Sequence, residues 1–403
     1  MPHNYMISPH QNRYRWVMLG LTWLLYSMFG LVAYSLAPLV TPIMRDLNIS
    51  YTQMGIIAGS WPLSYIFISV IAGALTDKLG ARISLLAGAV IMGLSMVLRF
   101  SADGFVGMFL AVALYGVGGP LISIGCPKVI STWFVGKSRG MAVGIYMTGP
   151  RVGGIFALAL TNSLVMPLAG FSWRHTFLWY GLVTFAVALL WVSLARETKS
   201  PAFSGGDRFG SIFARLMKIR NVQIVLTMGL LSFATMHGFL NWLPKILENR
   251  GLSPELAGIM AAVPTLASIP ATLIIPRLVP PGLRGRSILL LAVLTALTLF
   301  VVVNASGVLL YVGLVVFGFA MMSFLPMLLL ILMDMPEVGS KYMGSAAGMF
   351  FCVAEVGGFA GPMVMGALVD LTSSFLAGTA VLASMNLVTL AMTFLLKMEP
   401  SKD

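Results

Sequence analysis

Charge is the scarcest thing in this sequence. Only 9 % of its 403 residues are Asp, Glu, Lys or Arg, against about a quarter in an ordinary soluble domain. So little charge cannot clothe a water-exposed surface, which excludes a soluble globular chain of this length. Cysteine is nearly missing. Cys126 and Cys352 both fall in apolar stretches, so neither a disulfide framework nor a cysteine metal site is expected, and both read as packing residues. There is no ATP-binding fingerprint and no polar stretch long enough to fold into a domain that could hold one. No nucleophile–base pair and no ligand cluster stands out, so an enzyme is not expected, nor any catalytic residue, metal or cofactor. The alternating ten-residue segments of a membrane barrel are also lacking.

What is abundant is apolar sequence. Hydrophobic residues make up 58 % of the chain and the mean hydropathy is +0.93. Apolar runs long enough to cross a hydrocarbon core at about 1.5 Å per residue recur throughout. Twelve helical spans are expected, over roughly 16–43, 53–75, 83–101, 105–134, 140–163, 175–195, 221–247, 255–278, 287–304, 308–333, 342–368 and 375–397. The polar start, 1–15, lacks the basic region, short apolar core and small-residue cleavage site of a secretory signal, so the first span is kept as a span. The longest interior polar stretch, 196–220, reads as a linker between a 16–195 bundle and a 221–397 bundle, with 398–403 as a tail. Phe209, Ile212, Phe213, Leu216 and Ile219 recur there at helical spacing between basic residues, a pattern that suits a helix lying on the membrane surface.

The formal charge of +12 is accounted for by the tendency of cytoplasmic loops to collect Lys and Arg, and nucleic acid is not an expected partner. One set of loops and tails, including Arg13, Lys78, Arg82, Lys137, Arg215 and Arg286, holds eighteen basic residues. The opposite set holds five: Arg45, Arg99, Arg174, Lys245 and Arg250. The rich set should face the cytoplasm and, with an even span count, both termini should lie there. The expected setting is the plasma (cytoplasmic, inner) membrane, and a single chain is expected to act as a monomer.

The chain repeats itself. A shift of 204 places Gly140, Gly144, Arg151, Gly153 and Gly154 on Gly344, Gly348, Glu355, Gly357 and Gly358, and Arg82 on Arg286. Near the first loops the shift is 203, with Ser50 and Gly55 falling on Ser253 and Gly258. A steady offset implies two pseudo-symmetric six-helix bundles of the same topology, an all-α membrane fold in which a solute would sit between the halves and rocking would give alternating access.

Gly73-Ala-Leu-Thr-Asp77-Lys78-Leu-Gly80-Ala-Arg82, between spans two and three, resembles the loop signature of the major facilitator superfamily. The resemblance implies that Asp77 latches the halves against the start of span eleven, with Gly73 and Arg82 part of the same gate. Without the family, Gly73 reads as a close-approach point and Asp77 as an anion able to cap a helix. The second-half loop departs, with Pro281 where an aspartate would stand. Gly149-Pro150-Arg151-Val152-Gly153-Gly154 resembles the motif of the superfamily's drug/proton antiporters. Trp133-Phe134 with Arg139-Gly140 looks like the corresponding junction of its anion, monocarboxylate and cyanate-type carriers.

A charge at mid-bilayer is costly unless paired or wet, so each one marks a candidate site. Arg151 offers a planar fork of donors suited to a carboxylate, and the repeat sets Glu355 opposite it. A partly buried carboxyl is suited to exchanging a proton, which makes Glu355 the coupling candidate. Either could instead be held in a salt bridge to a neighbouring helix. Lys128 could snorkel to the surface, pair with Glu355 or guide an anion. His237 and Asn241, one turn apart, and Tyr26 and Tyr34 on span one complete the candidate solute contacts. With no ATP site, transport would be secondary. The leading expectation is an anion carrier coupled to protons; the alternatives are a drug/proton antiporter and a transporter-like receptor without flux.

Overall fold

The computed structural model describes residues 9–134, 136–197, 214–335 and 337–396. Eleven helices among them are long and apolar enough to cross a membrane, and a bent pair makes a twelfth. The first half comprises α1 (Arg13–Leu47), α2 (the bent helix, Tyr51–Leu79), α3 (Ala81–Phe100), α4 (Phe105–Trp133), α5 (Ser138–Leu168) and α6 (Trp173–Leu194). The second comprises α7 (Arg220–Asn249), α8 (Pro254–Leu278), α9 (Arg284–Asn304), α10 (Gly307–Asp334), α11 (Gly339–Thr372) and α12 (Phe375–Thr393). These are the expected spans to within a few residues at most ends. The first differs most: its helix is already formed at Pro9, inside the stretch read as a polar tail. Hydropathy marks where a helix enters lipid, not where its hydrogen bonds begin, and proline is at home in a helix's first turn. Of the surface helix expected near 209–219, residues 209–213 lie outside the described residues; 214–216 form a helical turn whose Leu216 is buried.

The repeat is visible in atoms. Ser50 caps α2 by accepting from the Gln53 amide, and Ser253 caps α8 by accepting from Leu256. A Cβ on Gly153 of α5 would strike the Ser27 carbonyl of α1, and one on Gly357 of α11 would strike the Leu230 carbonyl of α7. The offset is 203 for Ser50 and Ser253 and for Ser27 and Leu230, and 204 for Gly153 and Gly357. With no hydrophobic force between helices in lipid, such main-chain contact is what holds them together. Gly73, by contrast, has nothing within 4 Å of where a Cβ would stand, so the close approach expected there is not made. Gly153→Ala should therefore destabilise the purified protein by about 3 kcal/mol or more. Gly73→Ala should leave the melting temperature unmoved, and equal melting temperatures for the two variants would refute the distinction.

The face carrying the lysine- and arginine-poor loops, the far face, is where the halves are bolted together. Asp370 at the end of α11 accepts from the Tyr51 amide (3.1 Å), the Thr52 amide (2.7 Å) and the Thr52 hydroxyl (2.5 Å) at the start of α2. Thr41 of α1 donates to Glu248 of α7. The Asn162 amide of α5 bridges the carbonyls of Pro38 (3.0 Å) and Pro254 (3.1 Å). Along the α2–α11 seam, Gly55 lies against the backbone of Pro362 and Gly366 against that of Tyr51.

Arg99 near the end of α3 is a surprise. It counts among the far-face loop residues by sequence, yet it is only 1 % exposed. Its guanidinium donates to Ser35 Oγ (3.2 Å) and Ser95 Oγ (3.4 Å) and sits over the Phe177 ring. Arg99 is the penultimate residue of α3, and its side chain reaches across to Val32 and Ser35 of α1 instead of out to water.

Candidate substrate-binding site

Between the bundles, at mid-depth, lies a cavity of about 450 Å³. One face of α1 supplies Tyr26, Phe29, Gly30 and Tyr34, three and four residues apart as one helical face requires. Trp61 and Tyr65 come from α2, and Ser123 and Pro127 from α4. Tyr146, Met147 and Pro150 come from α5; Phe233, His237 and Asn241 from α7; Phe351 and Glu355 from α11. The wall residues on α4 carry the cavity from mid-depth toward the basic-loop face.

Rings dominate this wall and form a continuous belt. From Tyr146 the centroids step to Tyr26 (5.8 Å), Phe29 (5.5 Å) and Trp61 (6.4 Å). The belt then crosses to the second half at His237 (5.4 Å) and runs on to Phe233 (5.7 Å) and Phe351 (6.3 Å). All these spacings fall in the favourable range for tilted and edge-to-face pairs.

Polar groups are fewer, and several are already engaged. The Tyr65 and Ser123 hydroxyls share a hydrogen bond of 2.8 Å, and the Asn241 amide donates to the His237 carbonyl at 2.8 Å. Glu355 stands apart. It is 6 % exposed, its Oε2 has no hydrogen-bond partner, and the nearest cationic candidate, His237 Nε2, is 3.9 Å away. A buried carboxylate oxygen left unpartnered is costly to keep charged, and the protonated acid escapes that cost.

The structure thus brings Tyr26, Tyr34, His237, Asn241 and Glu355 to one cavity. The other candidates, Arg151, Lys128, Asp77, Arg82 and Gly73, are not on its wall. Arg151 is not on the cavity wall, although its neighbours Met147 and Pro150 are. Its Nε donates to Ser268 Oγ of α8 at 3.1 Å and its Nη1 to the Met147 carbonyl at 3.1 Å. The charge remains within electrostatic reach of Tyr26 and Tyr34. The repeat gives its depth as expected, but the long side chain turns sideways to the acceptor α8 offers. Lys128 donates to Asp77 Oδ1 (2.8 Å) and the Thr76 carbonyl (2.9 Å), so it neither pairs with Glu355 nor snorkels free. Asp77 correspondingly spends its charge on α4 of its own half; the side chains at 339–342, where the resemblance set the latch, lie outside the described residues. Arg82 donates to the Val192 carbonyl at 2.7 Å, tying α3 to α6.

Trp61, Phe29, Tyr65, Tyr146, Phe233 and Phe351 belong to the site and were not singled out in the sequence. No signal in the sequence set these rings apart from the other aromatics of the spans.

A duplicated bundle around a central cavity closed at one face is the architecture of an alternating-access carrier. Comparison with known proteins agrees. Residues 22–362 match the model of the Major Facilitator Superfamily. The "Hexuronate transporter" of Bacillus subtilis (strain 168) is 24% identical over 377 residues, covering 86% of this chain and 87% of that protein. The "Probable sulfoacetate transporter SauU" of Cupriavidus necator is 23% identical over 391 residues, covering 90% and 89%. Among solved structures, a bacterial homologue of the human lysosomal transporter Spinster superposes with a TM-score of 0.73 at 17% identity, over 95% of this chain and 97% of that one. The chain belongs to the Major Facilitator Superfamily, and it is a secondary transporter of that family.

Proposed function

We propose that this transporter carries a small anion together with protons. The observation that carries the reading is Glu355: a buried carboxyl with one oxygen unpartnered, on the wall of the cavity a solute must enter. While Glu355 is ionised it repels an anion from that cavity, and protonation lifts the repulsion. Proton and anion are then favoured as co-passengers without any direct bond between them. His237, at 3.9 Å, is placed to receive or pass on the proton. Arg151 supports the reading from behind the α5 wall, where its charge favours an anion near Tyr26 and Tyr34. The two relatives above are named for chemically different solutes, a sugar acid and a sulfonated acid, whose common feature is negative charge.

The excess of basic residues on one face supports a cytoplasmic setting for that face. On that orientation the far face is external and the structure is the form closed to the outside. The plasma membrane is the setting this orientation suits, and one chain contains a complete cavity.

One observation favours a second reading. Among the described residues lining the cavity, Glu355 and His237 are the ionisable pair and no lysine or arginine joins them. An acidic cavity suits exchange of a cationic drug for protons. Proteoliposomes with a pH-sensitive dye inside separate the two. With an acidic exterior, added anion should bring protons in with it under the first reading, while a lipophilic cation should drive protons out under the second. Specific binding with no flux of either would mark a receptor. Arg151→Ala should slow anion uptake by about ten-fold, the scale of one unit charge acting through the α5 wall; unchanged uptake would leave Arg151 as a link to Ser268 alone.

A further inference from the structure

Resting on the proposal that the cargo is an anion, we infer that its body is a planar aromatic or conjugated ring, not a polyhydroxylated chain. The observation is the belt. Trp61, Phe29, Tyr26 and Tyr146 on one side, and Phe233 with His237 on the other, line the cavity in unbroken succession, with neighbouring centroids 5.4–6.4 Å apart. A ring entering the cavity meets further rings at whatever angle it adopts, and each offset or edge-on contact adds to simple apolar burial. A solute with many hydroxyls meets the opposite situation. Each hydroxyl loses water and needs a partner, yet Tyr65 and Ser123 already bond each other and Asn241 is committed to the His237 carbonyl. The carboxylate of an aromatic acid needs little more than one polar end of the cavity, and Tyr26 with Tyr34, under the influence of Arg151, supplies it. Among the described residues the belt crosses between halves only at Trp61–His237, so a ring lodged there touches both bundles at once and is well placed to favour one arrangement of them over the other.

The test compares four monocarboxylates of equal charge, benzoate, cyclohexanecarboxylate, glucuronate and acetate, by calorimetric binding to the full-length protein in lipid nanodiscs at a fixed mildly acid pH. Binding is chosen over uptake because protonated benzoic acid leaks through lipid unaided. Benzoate is expected to bind about ten-fold more tightly than glucuronate or acetate, and several-fold more tightly than its saturated counterpart, as ring–ring contact requires. Trp61→Leu, shown folded by its melting curve, should weaken benzoate by about ten-fold while acetate changes little. If that variant does not fold, Tyr146→Leu at the end of the belt is held to the same standard. Glucuronate binding as tightly as benzoate, or the ring variant binding benzoate as the wild type does, overturns the inference and leaves the anion reading standing. Binding by none of the four overturns both.

Discussion

Glu355→Gln is expected to separate transport from its driving force. The variant should bind the anion at any pH as the wild type does only when protonated, exchange it across the membrane, and no longer accumulate it against a gradient. Two unit charges about 6 Å apart at an effective dielectric of about 20 repel by about 3 kcal/mol, roughly a hundred-fold in affinity. Wild-type affinity should therefore fall by up to that factor as the pH rises through the titration of Glu355, while the glutamine variant stays flat. The titratable groups within electrostatic reach of this carboxyl are His237 from α7, Tyr65 from α2, Tyr115 from α4 and Cys352 on its own helix. Of these, His237 is the one whose ordinary titration overlaps, so His237→Gln is the necessary control: it should shift the wild-type curve without flattening it. A Glu355→Gln protein whose affinity still falls with pH would place the coupling proton elsewhere.

Asp370→Ala should open the far face. The carboxylate of α11 now caps the first turn of α2 with three hydrogen bonds, where a helix N-terminus favours negative charge. The site is open to water, so the net worth is about 1–3 kcal/mol, not the sum of three isolated bonds. That still shifts a two-state equilibrium by roughly five- to a hundred-fold. Spin labels at Ser101 and Ser306, exposed loop positions of opposite halves on this face, would report it by electron–electron distance measurement once Cys126 and Cys352 are replaced. A longer distance population should appear in the variant and shrink when the cavity is filled. Identical distance distributions would show that Thr41–Glu248 and the Asn162 bridge suffice to hold the face shut.

How much of this was legible in the sequence follows from the physics of lipid. Span positions and the repeat were plain because hydropathy and spacing survive in any environment. The rotation of each helix was not, because lipid-facing and core-facing sides are both apolar and the usual contrast between faces is erased. Polar residues are the exceptions that carry phase information, which is why Tyr34, His237, Asn241 and Glu355 could be placed while Trp61, Phe29 and Phe233 could not. Long cationic side chains mislead for a different reason. Arg151, Lys128 and Arg99 each reach past their own helix face, and their ends are decided by whichever acceptor lies within several ångströms: Ser268, Asp77 and Ser35. Sequence spacing fixes the depth of such a residue but not its destination. The Asp77 motif shows the same limit, since the loop signature did not disclose its bond to Lys128.

Where Gly55 meets Pro362 and Gly366 meets Tyr51, the two halves touch through main chain, with the Tyr51 ring packed on Trp242 and Phe375 beside the contact and away from the cavity. The moving surface and the recognising surface are consequently built from different residues. Rings in the central cavity can be exchanged to suit another cargo while the sliding joint is left untouched, so one mechanical chassis can be refitted for many solutes.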